Sequence, residues 1–186
     1  MGLISSIFGK SNATLKWAEA AGTPLELDLD NHALNGAKLG SSLDRLSFLG
    51  PAGLSQTRGI NSFEFFSKGL AIDADQSLRI ECFIVFLAPQ GPEGFKPFPG
   101  RVIHKGQAIA LGPGTSESLL IQEFGEPYWR DMDEDEILLF YEFGLVEWQF
   151  EVGLDGGVRA LVIGPPLLAD PEQRRAYGVT TDWPPR

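Results

Sequence analysis

Between Tyr128 and Glu142 the chain packs six carboxylates into fifteen residues, Tyr128-Trp-Arg-Asp-Met-Asp-Glu-Asp-Glu-Ile-Leu-Leu-Phe-Tyr-Glu142. Oxygen donors at that density could hold a hard cation. Asp131, Asp133, Asp135 and Glu142 fall at positions 1, 3, 5 and 12 of a calcium-loop template. Position 6 of the template needs a glycine for its sharp turn and is Glu136 here, and position 12 falls in a stretch that reads as strand rather than at a helix start. The expectation is therefore no metal and no cofactor. Asp131, Asp133, Glu134, Asp135 and Glu136 are read as solvated groups that keep the following apolar run soluble and steer a charged partner.

Nucleophilic chemistry has few materials. His32 and His104 sit at non-equivalent places beside turns and read as surface or strand-edge residues. Cys82 lies in Ile80-Glu-Cys-Phe-Ile-Val-Phe86, an apolar strand pattern that makes it a small buried hydrophobe. One cysteine rules out an internal disulfide and fits a reducing compartment, so a cytoplasmic address is expected. Neither a Gly-rich phosphate loop with its lysine nor a cysteine–histidine zinc cluster is spelled out, so the chain reads as non-enzymatic. The first ten residues do not read as a secretory signal or a membrane span. Gly2 and Ser6 fit a myristoylation pattern, but Leu3, Ile4, Ile7 and Phe8 read better as a short docking stripe.

Net charge is −10, divided into −3 over positions 1–93 and −7 over 94–186. A surface this negative repels nucleic-acid phosphates and anionic membranes and favours a basic protein partner.

The elements that carry these groups repeat. Asn35-Gly36, Leu39-Gly40, Leu43, Leu46, Leu49-Gly50-Pro51 and Phe65-Phe66-Ser-Lys-Gly69-Leu70 recur as Lys105-Gly106, Leu111-Gly112, Leu119, Leu120, Phe124-Gly125-Glu-Pro127 and Phe140-Tyr141-Glu-Phe-Gly144-Leu145. Matching glycines lie 70 (36 to 106), 72 (40 to 112) and 75 (50 to 125, 69 to 144) positions apart. The spacing predicts, in each unit, a hairpin at an x-Gly turn (34–39 and 102–111) and a short Ser-capped helix (42–49 and 116–124). Each helix ends at a glycine in the left-handed region. An antiparallel meander follows, read as strands 63–67, 70–73 and 78–87 in the first unit and 137–143, 145–152 and 158–163 in the second. The fold class is α+β: two tandem repeats, each a short helix plus an antiparallel β-meander, with sheets forming an open face.

The expected organisation is an N-terminal segment (1–31), repeat unit 1 (32–87), a Pro/Gly-rich connector (88–100) pinned by Phe95 and Phe98, repeat unit 2 (101–163), and a C-terminal short helix and tail (164–186). In that last part Asp170-Pro171-Glu172 opens a helix ending near Tyr177-Gly178, and Trp183 packs the tail.

A tandem unit in which a capped helix ends in Gly-x-Pro and leads into a meander with an aromatic-aromatic-x-x-Gly-Leu turn resembles the beta-lactamase inhibitory protein and the small outer-membrane-assembly lipoprotein family over about residues 32–163. The resemblance implies a non-enzymatic protein that grips a partner with the exposed face of its sheet. The sequence departs from those relatives in having no lipobox cysteine and no paired cysteines, so their compartment and partner do not carry over.

Strand alternation places Phe140, Glu142, Glu147, Gln149 and Glu151 on the face away from the core, joined from the first unit by Phe65, Arg79 and Glu81, with Ser67 and Phe83 beside them. Aromatics among charges make this face the expected partner-binding surface. The functional expectation is a protein-binding module, in its most concrete form an immunity or inhibitor protein for a basic partner. The alternatives are a small-ligand or divalent-metal-dependent enzyme using the acidic run, and a structural component of a larger assembly.

Because the template lacks its turn glycine, millimolar calcium or magnesium should leave the melting temperature unchanged, whereas a native-state ligand must raise it by mass action. A saturable rise that disappears in the double variant Asp131→Asn, Asp133→Asn would overturn the solvated reading.

Overall fold

Two x-Gly turns open the two halves of the fold. Asn35 and Gly36 have φ of 46° and 76°, and Lys105 and Gly106 have 51° and 72°, the paired positive values of a type I′ hairpin turn that matches strand twist. The structure, a computed structural model, describes residues 12–57, 59–89 and 94–183, so the myristoylation-like pattern and the apolar stripe at 2–8 lie outside the described residues. In chain order the strands are β1 (Glu26–Asp28), β2 (Ala33–Leu34), β3 (Ala37–Lys38), β4 (Gly53–Thr57), β5 (Ile60–Phe65), β6 (Leu70–Ala74), β7 (Ile80–Phe86), β8 (Arg101–His104), β9 (Gln107–Ile109), β10 (Trp129–Met132), β11 (Glu136–Phe143), β12 (Val146–Gly153) and β13 (Val158–Gly164). The α-helices are α1 (Glu117–Phe124) and α2 (Pro171–Ala176), with 3-10 segments at Ala13–Lys16, Leu43–Leu49 and Phe66–Lys68.

The strands form two sheets, β3-β2-β1-β8-β9 and β10-β11-β12-β13-β7-β6-β5-β4. In the larger sheet the two meanders lie back to back, with β7 antiparallel to β13. Leu161 pairs with Val85, Ile163 with Phe83, and between them Ile84 pairs with Val162, 78 positions on. A two-fold relation between the halves therefore passes through that one pair. Both meanders also carry a bulge at matching places, at Asp73/Ala74 and at Glu151/Val152. The fold is α+β with largely antiparallel sheets; β1 and β8 form a parallel pair between the halves.

Each meander has four strands rather than the three expected, because the segments read as loops after Gly50 and Gly125 each contribute an edge strand, β4 and β10. The helical segments fall where expected. Ser116 caps α1 by accepting from the Leu119 amide at 3.4 Å, whereas Ser42 makes no side-chain cap and its segment is 3-10 with a kink at Leu46. Gly50 and Gly125 end these segments at φ 81°, ψ −171° and φ 87°, ψ −172°. This is the extended positive-φ region, not the left-handed helical one, and glycine is again the residue that tolerates it.

The core lies between the inner face of the large sheet and a cover made of the small sheet, the Leu43–Leu49 segment and α1. Leu27, Leu34, Leu46 and Leu120 meet Phe63, Ile72, Phe83, Phe150 and Leu161, all buried. Sealing such a side chain from water contributes about 1.5–3 kcal/mol.

On the outer face the connector crosses the first unit. Lys96 N–H donates to Phe66 O and Phe98 N–H to Phe86 O, and the Phe95 ring stacks on Phe86 at 3.9 Å. It passes so close to Gly69 that an added Cβ would stand 2.2 Å from Lys96 O, while the same atom on Gly144 would meet nothing within 4 Å. Both glycines are left-handed, at φ 57° and 64°. Gly144→Ala should therefore cost about 1 kcal/mol of conformational strain, and Gly69→Ala distinctly more because the connector must shift. Chemical denaturation of the two variants checks this, and equal losses would contradict the close crossing.

Candidate functional site

The outer face of the second unit is the expected partner surface, and the structure closes it. Phe140 is 0% exposed, stacked on Trp129 at 4.3 Å with Tyr128 at 6.3 Å. The C-terminal segment after β13 folds back over the same strands. Asp170 caps α2 through the Glu172 and Gln173 amides, and Leu168, Arg174 and Val179 are buried. Arg174 forms a two-pronged ion pair with Glu142, Nη1 to Oε2 at 3.1 Å and Nη2 to Oε1, with the side chains only 2% and 5% exposed. Its Nε donates to Leu168 O and its Nη1 to Thr181, and the guanidinium lies over the rings of Tyr128 and Trp183 at 4.8 and 5.0 Å.

Glu142 and Glu147 stand opposite each other on β11 and β12, a like-charge pair that destabilises a sheet unless something answers it. Arg174 neutralises the first. Glu147, 4% exposed, accepts from the Tyr128 hydroxyl and from the Leu167 amide at 3.2 Å. Burial pushes the Glu147 carboxyl above its ordinary range, and those two hydrogen bonds pull it partly back. The Tyr128 hydroxyl is itself pushed up by burial and by Glu147.

The remaining expected contact residues are dispersed. Phe65 is buried in the core and stacks against Trp17 at 6.5 Å, and Phe83 is likewise core. The reason is register. Matched by core-facing positions, Phe65 corresponds to Tyr141, not to Phe140, because Phe65 pairs with Leu70 as Tyr141 does with Trp148. The sequence alignment is one residue off there, and one residue turns a side chain to the opposite face. Arg79 precedes β7, exposed, and reaches the Gly40 carbonyl at 3.3 Å. Glu81 is exposed at the first bulge. Gln149 and Glu151 are half-buried, and burial raises the Glu151 carboxyl.

The acidic run is an edge hairpin rather than a loop. Asp131 lies on β10, Glu136 opens β11, and Asp133, Glu134 and Asp135 make the turn. Asp133 Oδ1 accepts from the amides of Asp135 and Glu136 at 2.8 and 2.9 Å, which lowers its pKa. Asp131, Asp133, Glu134 and Asp135 are exposed and Glu136 half-buried. Among the described residues no group of three or more His, Cys, Asp or Glu is arranged to hold a metal.

The histidines come together where the sequence kept them apart. His32 and His104 flank the buried Trp148 ring at 5.9 and 6.0 Å. His104 is 7% exposed, not a surface residue, with Nδ1 2.9 Å from Glu123 and Nε2 3.9 Å from Asp30. Cys82 pairs with Asp73 on the opposite, outer side of the sheet, its thiol pushed up to about 12 by burial. No nucleophile–base pair forms from these three residues.

Arg174 is the residue sequence reasoning missed. Its signal was present: Glu142 and Glu147 bracket a Gly144-Leu145 turn and must face each other across it. A closed face there needs a cation.

What remains open at this end of the molecule is a cleft of about 580 Å³ beside β11, lined by Phe124, Glu126, Pro127, Tyr128, Tyr141, Glu142, Phe143, Thr181 and Asp182.

No family model matches the chain. No curated protein matches it either. Among solved structures it is similar to a DUF4309 family protein, YjgB, from Bacillus subtilis, with a TM-score of 0.48, 15% identity, and coverage of 70% of this chain and 83% of that one. It is also similar to a cysteine-rich secretory protein, SAV1118, from Staphylococcus aureus, with a TM-score of 0.47, 12% identity, and coverage of 74% and 48%.

Glu147→Gln keeps one acceptor oxygen for the Leu167 amide, turns its NH2 toward the Tyr128 hydroxyl, which can accept in its turn, and removes the buried charge. A carboxyl raised in the folded state penalises folding fully above the folded pKa, and the penalty fades as pH falls to the ordinary value of 4.5. The variant should therefore melt at or above the wild-type temperature at pH 8 and lose that advantage toward pH 4. A variant clearly less stable at pH 8 would mean the charge is net favourable beside Arg174.

Proposed function

We propose that this chain is a non-enzymatic protein-binding module for a basic partner, held in the cytoplasm, and that the partner meets the acidic edge of the second unit. The concrete form of that role is an inhibitor or immunity protein that blocks access to the partner. One observation carries the reading. The two edge hairpins occupy equivalent places in the sheet, yet 52–61 contains no carboxylate whereas 131–136 contains five. Building the hairpin does not require five charges: Asp133 serves its turn, and the other four answer to something outside the fold. A basic partner would be drawn in by the acidic half, and the attraction would fall with salt as exposed charges are screened.

The sheet face itself is not the gripping surface in this reading, because the C-terminal segment already fills it. The metal-dependent alternative is not favoured by any donor set among the described residues.

The test is affinity capture from the native lysate with the wild-type chain and with a variant carrying Asp131→Asn, Asp133→Asn, Glu134→Gln and Asp135→Asn together. The expected result is a basic protein retained by the wild type, released by raised salt, and not retained by the variant, with both chains folded by circular dichroism. Retention of the same protein by both would overturn the assignment to the acidic edge.

A further inference from the structure

The second unit is longer than the first in one place, and the cleft is the result. In the first unit β5 ends with the pair Phe65↔Leu70, and β4 runs beside it as far as Glu64. In the second unit β11 and β12 continue two pairs beyond the equivalent Tyr141↔Trp148, through Glu142↔Glu147 and Phe143↔Val146. β10 does not follow. Its last strand pair is Trp129↔Phe140, and after the bond from Tyr128 N–H to Phe140 O the neighbouring chain leaves the edge at Pro127.

Backbone groups alternate along a strand, so Glu142 N–H and C=O point the same way as those of Phe140, toward the side that β10 has vacated. Among the described residues neither group has a backbone partner there. The opening is an interrupted sheet edge three residues long, from Tyr141 to Phe143. Its walls are aromatic, from Phe124, Tyr141 and Phe143, and its rim is acidic. Glu126 is exposed and forms no ion pair among the described residues. Tyr141, 4% exposed, lines the inner wall with a hydroxyl that has no hydrogen-bond partner among the described residues. Arg174 over Tyr128 already shows a cation accepted on an aromatic face of this end.

We propose that this cleft takes an extended peptide segment bearing a lysine or arginine. Its backbone continues the β11 edge at Glu142, its basic side chain meets Glu126, and the aliphatic stem of that side chain lies along the aromatic wall. The inference rests on the basic-partner reading above and adds a second contact to the one that reading places on the acidic hairpin.

The test is amide-resolved NMR titration of the full chain with acetyl-Ala-Arg-Ala-amide and its norleucine counterpart. Saturable shifts at Glu142 and Phe143 are expected with the arginine peptide, much weaker with norleucine, and roughly threefold weaker in affinity for Glu126→Gln, the scale of one exposed ion pair. Equal response to norleucine overturns the cation requirement. Butylammonium binding as tightly as the peptide overturns the strand pairing. Shifts confined to 131–136 overturn the cleft while leaving the basic-partner reading standing, and no saturable shift anywhere removes both.

Discussion

The pairing of β7 with β13 is the constraint on which the rest of the molecule depends. Each meander alone would present an unpaired edge and half a core. Joined at Ile84 and Val162, they share one inner face on which Phe83, Val85, Leu161 and Ile163 lie side by side. The join also decides where the exposed edges fall. They are β4 and β10, at opposite ends of the sheet. β10 carries Arg130, tied to Glu117 at 2.7 Å, and the exposed Asp131. Charges on an edge strand discourage pairing with another chain.

The closed outer face of the second unit follows from a second constraint, that two carboxylates placed across from each other cannot both be buried unanswered. Arg174, Tyr128 and the Leu167 amide provide the answers; three of the four donors in this set come from the segment after β13 and the fourth from the residue just before β10. A buried ion pair of this kind adds little net stability over an apolar pair. Removing one partner is what costs dearly, on the order of 3–5 kcal/mol. The pair therefore acts chiefly to fix where the C-terminal segment lies.

Much of the architecture was legible because its signals are local. The x-Gly turns, the helical segments ending at Gly50 and Gly125, the six central meander strands and the capped helix at Pro171 are written in runs of a few residues. What failed was non-local. The match of Phe65 with Phe140 rested on a shared aromatic-aromatic-x-x-Gly-Leu string, but the longer β11–β12 hairpin moves the equivalence by one position, which turns core into outer face. β4 and β10 were missed because Gly53-Leu-Ser-Gln-Thr57 and Trp129-Arg-Asp-Met132 show no apolar alternation; pairing with β5 and β11 makes them strands. The burial of Glu142 and Glu147 depends on a segment twenty or more residues away in sequence, beyond the reach of strand periodicity.

The parallel pair of β1 with β8 also bears on how the chain is made. Leu27 meets Val102, the Arg101 amide donates to Leu25 O and the Leu29 amide to Ile103 O, so the first strand is flanked by its own hairpin on one side and by the second unit on the other. A ribosome delivers residues in order, and nascent domains generally fold as units from the N-terminus. Here the first unit has leucines 25, 27 and 29 awaiting a neighbour that is translated some 75 residues later. Translation of the opening of the second unit therefore supplies one neighbour that the first unit lacks and β13 the other, and a ribosome paused before residue 103 holds a first half that is still missing both.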